Sequence, residues 1–292
     1  MFETRYYTRF DKEYPDKLRF IRDPPAGIYV RGDLPDPDKK TVAIIGARAC
    51  SQYGRNMAEY FARQLAMNGV QIVSGMARGI DGVAQKAALS EGGRSFGVLG
   101  AGADVVYPKE NRDIYEMIQG HGGLITELPD GTAPLPMHFA SRNRIISALC
   151  DVLLVIEARV RSGTAITVSY ALDQGRDIFA VPARLTDPLS AGCIKMISEG
   201  AGIAASPNDI LKSLGLMQEE KVKGSDGSKI NLKNLTRDER AVFACLDLYP
   251  VSIDEIVRMS RLSIDDAMAS VMSLCIKGIA KECSSCNYIR SR

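Results

Sequence analysis

From residue 41 onward the chain alternates short apolar runs with stretches whose apolar residues recur at helical spacing, and few architectures survive that alternation. TVAII (41–45) is followed by YGRNMAEYFARQLAMNG, where Met57, Phe61 and Leu65 share one helical face. Then come VQIV, a helix after Gly79, SFGVL, NRDIYEMIQ, GLIT, SRNRIISAL, DVLLVI, TAITVSYALDQG and DIFAV. The strand-like runs are apolar at every position, as strands buried on both faces are. Strand–helix alternation brings successive strands in parallel, so the expected fold class is α/β, a doubly wound parallel sheet covered by helices on both faces.

Four segments are expected. Residues 1–40 hold RDPPAGIYVRGDLPDPDKK, too proline-rich and too short for a core of their own, and read as a lead-in packing on the sheet. Residues 41–215 form the sheet domain. Residues 216–232, which include the polar MQEEKVKGSDGSKINL, read as a linker. In residues 233–292, Thr236 and Glu239 have the reciprocal spacing of a helix start, two further helices are separated by SRLS, and IAKECSSCNYIRSR suits a hairpin; together they describe a small C-terminal winged helix-turn-helix domain. A length of 292 residues accommodates both domains, and 46% apolar with 25% charged residues is ordinary globular composition. No apolar run reaches the roughly 18 residues that cross a bilayer, and the N-terminus lacks the apolar centre of a secretory signal, so a cytoplasmic protein with no membrane partner is expected. The seven cysteines, an odd number set among apolar neighbours, read as reduced core thiols.

Open parallel sheets bind ligands beyond the carboxyl ends of their strands, where helix N-termini offer N–H groups to anions. Three turns fall there, GARACSQYG (46–54), SGMARGID (74–81) and VRSGTA (160–165), and HFASRNRI (138–145) opens a further helix. Each combines arginine with Gly, Ser or Thr. A net charge of only +2 gives no basic coat, so phosphate binding would rest on Arg48, Arg78, Arg142, Arg144 and Arg161 gathered locally. Gly46, Gly75, Gly79 and Gly163 would keep the surface low for a polyanion, and Phe139 is either a core aromatic or a platform for a base.

Other chemistries find less support. GARACSQYG lacks the G-x-G-x-x-G spacing of dinucleotide sites, and there is no G-x-x-x-x-G-K-[ST] phosphate loop. His121 and His138 have no ligands at metal spacing, and no nucleophile elbow marks a serine triad. Cys283 and Cys286 form a CSSC without a second ligand pair. Asp81 reads as the N-cap of the helix that follows it. No metal and no cofactor are expected.

Taken in order, VAIIGAR…YG, IVSGMARGID, VLGAGADVVYPKEN, LITELP, SRNRIISAL, VIEA…SGTAIT, GRDIFAVPA and GCIKMISEGA resemble the DprA/Smf family of DNA-processing proteins across residues 40 to 212. The resemblance implies an extended Rossmann-like core that binds single-stranded DNA, protects incoming strands in natural transformation, helps load the RecA recombinase, acts as a homodimer and catalyses no turnover. The DNA contacts it implies fall on Arg48, Ser51, Gly75, Arg78, Gly79, Phe139, Arg142, Asn143 and Arg144. Ser162, Gly163 and Thr164 of the third turn complete the candidate set. The chain departs from the family at Ala47, where serine is common, at Gln85, where histidine is, and in VPA and HFAS.

Two readings from other classes stand beside this one. A nucleotide phosphoribohydrolase would need a carboxylate near the SGTAIT turn; Glu157 could serve as its base, or could instead be a buried carboxylate paired with an arginine. A transcription regulator would read duplex DNA through a recognition helix near SIDDAMASVMSLC, but Asp265 and Asp266 at its start would repel phosphates, which favours protein contact or regulation.

Overall fold

The structure is a computed structural model that describes residues 3–217, 235–247, 249–284 and 286–290. It divides into two compact units, Met1–Glu219 and Glu220–Arg292. Of the expected linker, 216–232, all but Leu216 and Met217 lies outside the described residues.

The first unit is built on one nine-stranded sheet. Its centre consists of β3 (Thr41–Ile45), β4 (Gln71–Ser74), β5 (Ser95–Val98), β6 (Gly122–Thr126) and β7 (Val152–Val155), each buried at every position. Alternate side chains therefore serve opposite faces. Val73, Phe96, Ile125 and Leu153 enter the core beneath α5 (Pro136–Leu149) and α6 (Gly163–Asp173). Leu124 joins a second cluster with Leu89 of α3 (Ile80–Ser90) and Ile114 of α4 (Arg112–Ile118). Met57, Phe61 and Leu65 are buried on one face of α2 (Gln52–Met67), as their spacing predicts.

Residues 1–40 do more than cover this sheet. β1 (Arg5–Thr8) and β2 (Gly27–Gly32) lengthen it, pairing antiparallel with each other and, through Tyr29 opposite Thr126, with β6. Between them α1 (Asp16–Arg19) drives Leu18 into the core. At the opposite edge stand β8 (Asp177–Ala180) and β9 (Gly202–Ile203), in parallel, with α7 (Ala191–Ser198) and α8 (Pro207–Ser213) interleaved along the chain.

The strand order is β1-β2-β6-β5-β4-β3-β7-β8-β9. Winding runs outward from β3 to β6, then returns to place β7 on the other side of β3. The carboxyl ends of β3 and β7 thus flank the point where winding reverses, the position at which such sheets open a crevice.

The second unit comprises α9 (Arg237–Cys245), β10 (Val251–Ser252), α10 (Ile253–Ser260), α11 (Ile264–Ile276), β11 (Ala280–Ser284) and β12 (Asn287–Arg290), its strands ordered β10-β12-β11 around a core that includes Val242, Phe243, Ile256, Val271 and Leu274. Thr236 and Glu239 form the expected reciprocal cap, and Glu239 also receives Lys277 at 2.6 and 2.8 Å and Ser273 at 2.6 Å. This is a winged helix-turn-helix. Its recognition-position helix, α11, exposes Asp265 and Asp266 beside Ile264, Met272 and Ile276.

Candidate nucleic-acid interface

The turns after β3, β4 and β7 converge at the winding reversal and border two adjoining hollows. One is a groove of about 490 Å³ lined by Arg48, Phe139, Arg142, Asn143, Arg159, Ser162, Gly163 and Thr164, among others. The other shares Arg48, Phe139 and Arg142 with it and adds Gly75, Arg78 and Tyr107. Ser51, Gly79 and Arg144 line neither.

Where the hollows meet, the Arg48 guanidinium lies 5.5 Å from the Phe139 ring centre, and the Tyr107 ring stacks on Phe139 at 5.5 Å with 30° between planes. Gly100 permits this: a Cβ there would stand 2.7 Å from Phe139 Cδ1. Arg48, Arg159 and Arg161 are exposed and form no ion pair among the described residues. Arg78 reaches Glu110 at 2.6 Å, but both side chains stand in solvent, where salt screens the pair and a phosphate can displace the carboxylate.

Arg142 is different. Only 5% exposed, it donates to the carbonyls of Gly75, at 2.7 Å, and Val98. Burial pushes its pKa down to about 10, against the attraction of Asp81, while Arg48 adds to the fall. Asp81 is not the N-cap of α3, a position taken by Gly79. Its buried carboxylate instead accepts the Gly75 N–H at 3.0 Å, and burial raises its pKa against the pull of Arg142. Arg142 therefore braces the groove floor, its guanidinium 6.0 Å from the centre of the Phe139 ring. Arg144 points elsewhere altogether. Glu127 grips it at 2.6 and 2.7 Å, the Asp23 carbonyl accepts from its Nε at 2.9 Å, and its side chain is 9% exposed. The expectation that it pairs with phosphate is corrected by this buried fork.

Three glycines are required by internal packing. A Cβ on Gly46 would meet Ile80 Cγ1 at 2.7 Å, one on Gly75 would meet Asp81 Oδ2 at 2.7 Å and both terminal nitrogens of Arg142 at 2.8 Å, and one on Gly79 would meet the Ala47 carbonyl at 2.3 Å. Gly79 also has φ +76°, a conformation that suits glycine. Gly163 alone of the four faces open space.

Much of the backbone from Gly75 to Ala77 is already engaged. The N–H groups of Gly75 and Met76 donate to Asp81 and Gln85, and the carbonyls of Gly75, Met76 and Ala77 accept from Arg142 and Asn111. The α6 N-terminus is the opposite case. Ser162, its N-cap, turns its hydroxyl to the Arg159 carbonyl at 3.0 Å and caps nothing, so first-turn N–H groups at Gly163 and Thr164 remain free of a side-chain cap at the groove. The α2 N-terminus is closed: Ser51 caps it, and Glu157 accepts the Ser51 N–H at 2.9 Å. Glu157 is thus held by a serine, not by an arginine.

Tyr107 and Arg159 were not singled out in the sequence. Tyr107 sits in a turn after β5, and nothing local links it to Phe139. Among the described residues no three of His, Cys, Asp and Glu gather to hold a metal, and no helix is long and apolar enough to cross a membrane.

The family model described as DNA recombination-mediator protein A matches residues 5–215, and that of the DprA winged helix domain matches residues 231–282. The chain is 41% identical over 205 residues to DNA processing protein DprA of Streptococcus pneumoniae, covering 70% of this chain and 72% of that one. It is 31% identical to Protein Smf of Synechocystis over an alignment of 318 positions, covering 98% and 80%. Among solved structures, the X-ray structure of the S. pneumoniae protein superposes with a TM-score of 0.67 at 39% identity over 72% of this chain and 74% of that one. DNA processing protein A of Helicobacter pylori, whose structure is described as giving insight into a unique single-stranded DNA binding mode, superposes with a TM-score of 0.65 at 28% identity over 73% and 96%.

Proposed function

Because the chain belongs to the DNA recombination-mediator protein A (DprA/Smf) family, we propose that it binds single-stranded DNA along the groove at the winding reversal, without catalytic turnover. The observation that carries this reading is the cluster of Arg48 with Phe139 and Tyr107: a cation without an ion-pair partner among the described residues, set against an aromatic surface, which suits a strand's phosphate and base together. Arg159 and the uncapped N-terminus of α6 extend the cationic track, and Arg78 can exchange Glu110 for phosphate.

The wider role, protecting incoming strands in the cytoplasm during natural transformation and helping RecA onto them as a homodimer, rests on the family resemblance. Nucleotide hydrolysis is disfavoured by Glu157, whose carboxylate is engaged by Ser51 and lines neither hollow. The test is fluorescence anisotropy with a labelled oligothymidylate and its duplex across a salt series. Tight single-strand binding that falls steeply with salt is expected; equal or stronger duplex binding overturns the proposal.

A further inference from the structure

Mononucleotide-binding sheets seat a phosphate at the strand-to-helix turn beside the winding reversal, where a glycine admits it and first-turn N–H groups point at it. In this chain that turn runs from Gly46 to Ser51 and enters α2. Its anion position is filled from within. Glu157, at the end of β7 and 1% exposed, lays its carboxylate on the α2 N-terminus, where it accepts both the N–H and the hydroxyl of Ser51. The Ser51 hydroxyl in turn accepts the Gly54 N–H at 3.0 Å, and the Ala47 N–H closes on the Glu157 carbonyl at 2.8 Å. Gly54 is fitted to this carboxylate: a Cβ there would stand 2.3 Å from Oε2, 2.4 Å from Cδ and 2.9 Å from Oε1 of Glu157, its three nearest atoms. A first-turn glycine that could admit a ligand's phosphate admits the chain's own acid.

We infer that Glu157 stands in for a phosphate at the α2 N-terminus and so bars free nucleoside phosphates from the winding reversal. A monomer depends on one strong anion seat, and that seat is taken. A polymer can instead sum several weaker contacts, at Arg48, Arg159 and the α6 N-terminus, because each phosphate bound holds the next nearby. Glu157 is thereby a specificity residue that acts by exclusion. This goes beyond single-strand binding, since it states what the protein refuses.

The test uses inorganic phosphate as the probe, so its outcome does not depend on whether the protein binds DNA. Wild type, Glu157→Ala and Glu157→Gln are melted with and without phosphate at constant ionic strength. Truncation to alanine opens the seat beneath Ser51, whereas glutamine keeps it filled. The expected result is a phosphate-dependent rise in Tm for Glu157→Ala about 3 °C larger than that of wild type, with Glu157→Gln matching wild type. A purely structural role for Glu157 would lower Tm without this phosphate-specific recovery. The inference is overturned if wild type gains as much as Glu157→Ala, or if Glu157→Ala gains no more than Glu157→Gln. Should Glu157→Ala not fold, Glu157→Ser, which keeps a hydroxyl for Ser51, carries the same comparison with the same two outcomes.

Discussion

The Arg48 guanidinium rests 5.5 Å from the centre of the Phe139 ring and meets no carboxylate among the described residues. Its charge is therefore available to a ligand, and little of the fold depends on it. Arg48→Ala is expected to weaken oligothymidylate binding about tenfold and to lower the slope of log K against log salt by about one. Urea unfolding should change by less than about 0.5 kcal/mol. A large loss of stability with unchanged affinity would contradict this assignment.

Arg144 should behave in the reverse way. Removing a guanidinium held by Glu127 in a nearly buried fork leaves the carboxylate without its partner, so Arg144→Ala is expected to cost about 3 kcal/mol in urea unfolding. Affinity per folded molecule should stay at the wild-type value, as anisotropy corrected for the active fraction would report.

Two glycines of similar appearance should separate. Gly79→Ala drives a Cβ against the Ala47 and Arg48 carbonyls at a positive φ, so it should lower stability by about 1–3 kcal/mol and, by displacing the Arg48 turn, weaken oligonucleotide binding too. Gly163→Ala meets open space and should leave Tm unchanged. A fall in its affinity alone would place the strand against the α6 N-terminus.

The C-terminal unit carries a pH dependence. Lys277, then Ser273 and the Thr236 N–H, hold the Glu239 carboxyl at about 2, below its ordinary 4.5. The unfolded chain takes up this proton first, so the stability Glu239 contributes is complete above about pH 4.5 and is lost as pH falls toward 2. Helical circular dichroism of the full chain should show an acid transition in that window, and Glu239→Gln should flatten it.

The central sheet was legible because strands buried on both faces are apolar at every position, and Met57, Phe61 and Leu65 declared the buried face of α2. β1 gave no comparable signal, since its residues are exposed or half-buried at the sheet edge. Within the site, Arg48 and Phe139 could be picked out, but the arginines of SRNRI could not be told apart by residue type. A helix turns about 100° per residue, so Arg142 and Arg144 point roughly 200° apart and cannot both face one groove. The purpose of Gly46, Gly75 and Gly79 was hidden for another reason. Each answers to a neighbour remote in sequence or around the turn, such as Ile80, Arg142 or the Ala47 carbonyl, and only the folded chain brings these together. Tyr107 reaches Phe139 by the same route.

The turn from Gly75 to Ala77 has its amides and carbonyls engaged by Asp81, Gln85, Asn111 and Arg142 before any guest arrives. With those groups engaged, little of this backbone remains to distinguish one base from another. Genetic text of any origin would be handled alike there, and replacing one letter with another should leave grip strength at this turn unaltered.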